Sequence, residues 1–325
     1  MNNIKRKITL FASLFIFSLS CSCCNNNSVK GSFSQDDENN SELYPAFITN
    51  VEIPEKVIFA DETIDFSRYD MRERLDRELI NFCNTHTNTT LIIKRANRYL
   101  PEIEQILKEE GVPDDIKYLM LIESNCNPLA RSGVGAAGFW QFMEGTAREF
   151  GLTVNKFVDE RYNIRKATIA ACKYLKNAYN KYGNWSATVA SYNAGQNKIS
   201  AELRKQQVSH ATDLYLNSET SRYIFRIIAA KIFFENQSDF GYNIPEKALY
   251  PPMIFTEVTV DSAITNLTSW AKNQGISYAI LRDANPWIRG NELPYDGKKY
   301  IIRIPDKKWI YYNPKNTKRH IFKTK

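Results

Sequence analysis

The sequence predicts a mainly α protein that ends in a small strand–helix–helix–strand module. Three observations carry this expectation. Apolar residues recur at three- and four-residue steps from Tyr69 to about residue 235, the period of helices with one buried face. Gly, Pro and Asn punctuate that stretch where helices should start and stop. Strand-like alternation in the C-terminal part is confined to "FTEVTV" and "KKYIIRIP", which flank two short helical segments. The chain has 325 residues, with 43% hydrophobic and 13% aromatic content. That is enough for about two folded domains and too apolar for a disordered chain.

The N-terminus reads as an export signal. Lys5, Arg6 and Lys7 precede "ITLFASLFIFSLS", an apolar run short for a membrane span. Ser20-Cys21 follows and resembles a bacterial lipobox, in which Cys21 would carry a lipid; Cys23, or plain cleavage and release, is the alternative. Residues 1–21 are thus expected to be a lipoprotein signal. Residues 22–45 are polar and rich in Asn and Ser, a tether, and short apolar runs to residue 65 suggest an extended strap.

Two helical stretches are expected over 66–111. In the first, Met71, Leu75, Leu79 and Phe82 share a face. In the second, Pro101 is expected to interrupt the helix, with Gly111 as its C-terminal cap. Pro113, Asp114 and Asp115 then suit a new helix start, and Asn125, Asn127 and Pro128 its end. Further helices are predicted at 141–150, 163–181, 184–193 and 219–235. A Pro-containing linker, "PEKALYPP", leads to the terminal module at about 254–305.

Charge and cysteine content exclude some functions. The formal charge of +7 comes entirely from the seven Lys and Arg of residues 307–325, which hold no acid and make up all but the first residue of a basic tail at 306–325; the rest of the chain is neutral overall. A general nucleic-acid footprint is therefore not expected. The tail would be a solvated end or touch anionic surfaces. Cys83, Cys126 and Cys172 lie beyond the signal region, consistent with three thiols or one pair and a free thiol. Three His and no CxxC give no metal-site spacing.

One residue stands out. In "LMLIES" four apolar residues run into Glu123 and Ser124. An ionised carboxylate is costly in an apolar setting, so Glu123 is solvated, paired with a neighbour such as Arg131, or shifted toward its protonated form. A glycine-rich loop follows, with Gly133, Gly135 and Gly138 able to turn tightly. Trp140 and Phe142 could offer flat faces to sugar rings, and Gln141 both donor and acceptor. Downstream, "YNAG" places Tyr192 and Asn193 at a helix end. A carboxylic acid of raised pKa is what glycoside cleavage needs to protonate a leaving oxygen. Glu144, Glu149, Asp159 and Glu160 are candidates for a second carboxylate, each with a surface or ion-paired alternative.

"ES" at 123–124, "GFWQ" at 138–141 and "YNAG" at 192–195, in this order, resemble the motifs of the family 1 lytic transglycosylases, lysozyme-like enzymes that cut peptidoglycan. The stretch 112–245 is similar to the membrane-bound lytic transglycosylase D subgroup. The resemblance implies a lysozyme-like (goose-type, SLT) catalytic domain, with residues 66–111 packing on it. It implies Glu123 as sole catalytic acid and base, and substrate contacts from Ser132, Gln141, Met143, Tyr192, Asn193 and Glu219. It implies that the MurNAc–GlcNAc bond breaks as a 1,6-anhydro ring forms, with no metal or organic cofactor. Residues 254–305 are similar to a LysM fold, a glycan-binding βααβ unit, but lack its usual opening; a module that simply packs on the catalytic domain is the alternative. The partners implied are glycan strands and, through Cys21, a membrane, at the periplasmic face of the bacterial envelope and by subgroup habit the outer membrane.

Overall fold

The computed structural model describes residues 52–322. The signal segment, Cys21, the tether at 22–45 and the start of the strap lie outside the described residues. The chain enters through a hairpin, β1 (Lys56–Phe59) and β2 (Glu62–Asp65), paired antiparallel with Val57 opposite Ile64. Among the described residues, eleven α-helices and a second two-stranded sheet follow.

Helix α1 (Tyr69–Asn84) buries Met71, Leu75 and Leu79, the face its periodicity predicts. Glu78 on the same helix is buried too, and is held by Arg222 at 2.6 and 3.0 Å. Helix α2 (His86–Glu109) runs straight through Pro101, contrary to expectation. An internal proline costs a helix about 3 kcal/mol. Leu100, Ile103, Ile106 and Leu107 flank it and are fully buried, each contributing roughly 1.5–3 kcal/mol. Burial on both sides of the proline therefore outweighs the lost backbone bond. Gly111 ends the helix at a φ of +66°, as foreseen.

Helix α3 (Lys117–Ser124) is buried nearly all round, a central helix rather than an amphipathic one. Asn125 closes it in the left-handed region. Helices α4 (Glu144–Glu149), α5 (Ile164–Tyr182), α6 (Trp185–Ala194), α7 (Gln196–Gln206) and α8 (Ser218–Glu235) complete the main body. Helix α7 was not foreseen. Its sequence is mostly polar and only Ile199 is buried, so it carries almost no periodic signal.

The terminal module has the expected order: β3 (Phe255–Val260), α9 (Leu267–Asn273), α10 (Tyr278–Ala284) and β4 (Tyr300–Pro305), with the strands antiparallel. Its core is continuous with the main body. Ala137, Val158 and Tyr162 pack with Leu281, Trp287, Ile288 and Ile302. Backbone bonds cross the seam from Asp159 to Trp287 (2.8 Å) and from Arg289 to Phe157 (2.8 Å). Trp287 is therefore a core residue; Trp270 is half-buried against the same cluster. Cys83, Cys126 and Cys172 are free thiols.

The basic tail is not a solvated end throughout. After a short helix, α11 (Lys307–Ile310), it folds back over α2. Asn97 donates to the Lys318 carbonyl and accepts from the His320 amide. The Phe322 ring packs on Phe234 at 4.8 Å, and buried Lys117 donates to the Phe322 carbonyl. Phe322→Ala is therefore expected to cost roughly 2–3 kcal/mol, and Lys315→Ala, at an exposed position, less than about 0.5 kcal/mol. Chemical denaturation of both variants checks this; equal stabilities would mean the tail is undocked in solution.

Candidate active site

Helix α3 delivers Glu123 to the edge of the core. The residues before it fill the interior, while Glu123 itself is only half-buried. Its Oε1 accepts a hydrogen bond from the Tyr223 hydroxyl on α8. Desolvation is the largest influence on the carboxyl, and it is pushed up to about 7. The Tyr223 bond and the positive charge of Arg226 pull the other way, and the negative charge of Glu219 adds to the rise. Glu219, Tyr223 and Arg226 stand at i, i+4 and i+7 of α8, so one helix stripe supplies all three influences. Arg226 is also 3.5 Å from Glu78, which shares its charge with α1. The suggested Arg131–Glu123 ion pair is not formed among the described residues.

The glycine-rich loop between α3 and α4 is pinned from inside. Arg161 donates to the carbonyls of Gly135 (2.8 Å) and Phe142 (3.1 Å), and Asp159 grips its guanidinium at 2.9 and 2.8 Å. Both side chains are buried. The clamp brings the Arg161 backbone so close that a Cβ at Gly138 would sit 1.9 Å from its carbonyl oxygen. Gly138 also has a φ of +76°.

The remaining expected site residues are distributed as follows. Ser132 is half-buried, and its hydroxyl accepts from the Ala136 amide to close the loop tip. Gln141 adopts a φ of +47° and donates its side-chain amide to the carbonyls of Gly138 (2.7 Å) and Ala130 (3.2 Å). Met143 is exposed at the loop end. Tyr192 donates to the Trp140 carbonyl at 2.7 Å, tying α6 to the loop. Burial raises its hydroxyl well above the usual range, and the Glu123 charge adds to this. Asn193 follows, half-buried and without a side-chain bond among the described residues. Glu219 is exposed. Glu123, Tyr192 and Glu219 are thus brought together electrostatically. Ser132, Gln141 and Met143 share the loop, and no bond ties them to Glu123.

One expectation is corrected. Trp140 and Phe142 do not offer faces to a ligand: both are buried in the core, and the Trp140 indole donates to Thr168 at 2.9 Å. Of the possible second carboxylates, Glu144 pairs with Arg148, Asp159 with Arg161 and Glu160 with Lys166. None of the four influences Glu123; the carboxylate that does is Glu219. Tyr223 and Arg226 were missed individually. The signal for them was their helical spacing from Glu219, once that residue faces Glu123. Among the described residues no group of three or more His, Cys, Asp or Glu is placed to hold a metal ion.

Residues 101–214 match the family model described as the transglycosylase SLT domain, and residues 256–308 match the soluble lytic transglycosylase C-terminal LysM-like domain. The chain carries an SLT transglycosylase domain followed by a LysM-like domain. It is homologous to the membrane-bound lytic murein transglycosylase D of two Escherichia coli strains, 27% identical over 242 residues in each case. The alignment covers 73% of this chain and 52% of the relatives, so the chain spans about half the length of the curated relatives it matches. A solved structure of an inactive mutant of the lytic transglycosylase Slt from Pseudomonas aeruginosa is similar over 53% of this chain and 29% of that one, at 21% identity and a TM-score of 0.36.

The loop geometry sets a test of its own. Gly138→Ala meets backbone and a strained φ, and should destabilise by at least about 2 kcal/mol. Gly133→Ala faces open space and should be near neutral. Thermal unfolding of the pair checks this; a Gly138→Ala protein as stable as Gly133→Ala would mean that the Arg161 clamp yields.

Proposed function

We propose that the chain is a peptidoglycan lytic transglycosylase in which Glu123 acts first as acid and then as base. The observation that carries this reading is the carboxyl pushed up to about 7 at the open end of a buried helix. Such a group is substantially protonated near neutral pH and can give its proton to a leaving oxygen. In this reading Glu123 protonates the oxygen joining MurNAc to GlcNAc. The resulting carboxylate then takes the proton of the MurNAc C6 hydroxyl as that oxygen bonds to C1 of the same sugar. The C1–O bond breaks, a 1,6-anhydro ring forms, and no water is consumed. The attacking hydroxyl is tethered to the reacting sugar, which removes most of the entropic cost of attack.

The other residues follow from this chemistry. Tyr223 orients the Glu123 carboxyl. Tyr192 fixes the loop on which Gln141, Ser132 and Met143 meet the glycan, and Asn193 and Glu219 extend the contact. Residues 112–245 form the catalytic domain, 66–111 brace it, and 254–305 form the LysM-like module. The expected Cys21 lipid would hold the enzyme at the periplasmic face of the outer membrane, with glycan strands as partner.

A second reading has one observation in its favour. Glu219 is an exposed carboxylate that acts on Glu123 and makes no ion pair among the described residues. It could activate a water, giving a hydrolytic muramidase. Digestion of purified sacculi separates the two. Transglycosylation yields muropeptides one water lighter than hydrolysis, with no oxygen taken from labelled water; incorporation of that oxygen would overturn the first reading. Glu123→Gln should abolish cleavage under either reading while the fold is kept, and a fully active variant would remove Glu123 from the site.

The pH profile tests the environment of the acid. Because the reactive form is protonated, kcat/KM should fall as pH rises through about 7. Tyr223 donates to the charged form and so lowers the pKa; Tyr223→Phe should move the falling limb to higher pH. Glu219 repels the charged form, and Glu219→Gln should move the limb to lower pH. Shifts of the opposite sign would mean that these side chains do not face Glu123 as described.

A further inference from the structure

A cavity of about 420 Å³ lies at the seam between the SLT domain and the LysM-like module, apart from Glu123. That volume falls in the range of small-molecule sites. Tyr99 of α2, Phe139 of the loop and Tyr162 form one side. Phe255 and Trp287 of the module form the other. Aromatic rings from both domains thus line it among prolines and aliphatic side chains, and no single domain could make it.

Its charges are unevenly satisfied. Glu102 and Arg303 are spent on each other at 2.5 and 2.9 Å, and Arg303 also reaches Glu257. Two further charged side chains line the cavity and have no ionic partner among the described residues. Arg98 donates its Nε to the Pro251 carbonyl and lies over the Tyr250 ring, with no carboxylate paired to it. Asp283, on α10 across the seam, is exposed and makes no hydrogen bond or ion pair among the described residues. Both are near enough to Tyr99 to act on its hydroxyl, with opposite sign. One cation from the main body and one anion from the module, beside apolar and aromatic side chains, complement a ligand with both charges and an apolar body.

We propose that this seam cavity binds a zwitterionic amino acid or short peptide with apolar side chains, its ammonium at Asp283, its carboxylate at Arg98 and its apolar part against the half-buried Tyr99, Phe255 and Ile280. The site is independent of Glu123 and of the reaction proposed above.

Isothermal titration of the protein with leucine, leucyl-leucine and leucyl-leucyl-leucine tests this, the series varying the separation of the two charges. At least one should bind saturably. N-acetylation and C-amidation of that ligand should each weaken binding about tenfold, the scale of a lost hydrogen bond to a charged group. Asp283→Asn removes the anion at an exposed position where the fold is not at stake, and should give a similar loss. Ala279→Trp, which fills the cavity from an exposed position on α10, should abolish binding. Glu123→Gln should leave it intact. The proposal is overturned if none of the three binds below about 10 mM. It is also overturned if only one of the two caps matters, if binding survives Asp283→Asn and Ala279→Trp, or if it is lost with Glu123→Gln.

Discussion

Helix α3 is buried almost all round, and the last carboxylate on it cannot be. The tension between those two requirements organises the candidate site. Leu119, Met120 and Leu121 hold the helix in the core. Their burial fixes the position of Glu123 within the reach of a side chain, and it strips away much of the water that would otherwise keep the carboxyl ionised. If Glu123 were fully solvated it would be a surface acid of ordinary strength. If it were fully enclosed it could not reach a substrate. The left-handed Asn125 ends the helix immediately after Ser124, so the chain turns away and the carboxyl stays at the boundary.

A buried acid needs neighbours that set its proton affinity without neutralising it permanently. Helix α8 supplies them in balance. An arginine in direct contact would hold the carboxylate ionised. Arg226 is instead drawn toward Glu78 on α1, a carboxylate already bound to Arg222. The N-terminal helix therefore bears on the site as well as on the core. It competes for a charge that would otherwise lower the proton affinity of Glu123.

Much of this was legible in the sequence, and the failures have physical reasons. Met71, Leu75 and Leu79 mark α1 by spacing alone. The terminal module was readable because its two strands alternate and its helices are bounded by turn residues. Glu123 was conspicuous because a charge after four apolar residues is costly unless it has a use. Trp140 and Phe142 were misjudged because composition does not say which side of a loop faces inward; Arg161, twenty residues on, decides that by gripping the carbonyls of Gly135 and Phe142. Pro101 was misjudged because local propensity was weighed without the burial on either side of it. The tail looked solvated because its lysines are exposed, while the residues that dock it are Asn97 and Lys117 of distant helices. Long-range partners of this kind leave no local trace.

The same long-range logic gives the LysM-like module a place in the site's architecture. Its Trp287 carbonyl accepts from the Asp159 amide, Asp159 holds Arg161, and Arg161 holds the loop that carries Gln141. Each link is buried, where a charge-assisted bond is strong and an unpaired member costs several kcal/mol. A module attached only to bind glycan would need no such continuity and could hang on its linker. Here the cores merge at Ala137, Val158 and Tyr162, so displacing the module would uncover apolar surface and leave the Asp159 amide without its acceptor. The module thereby helps to brace the glycine-rich loop. The cavity at the seam lies where any change in its seating would be felt first.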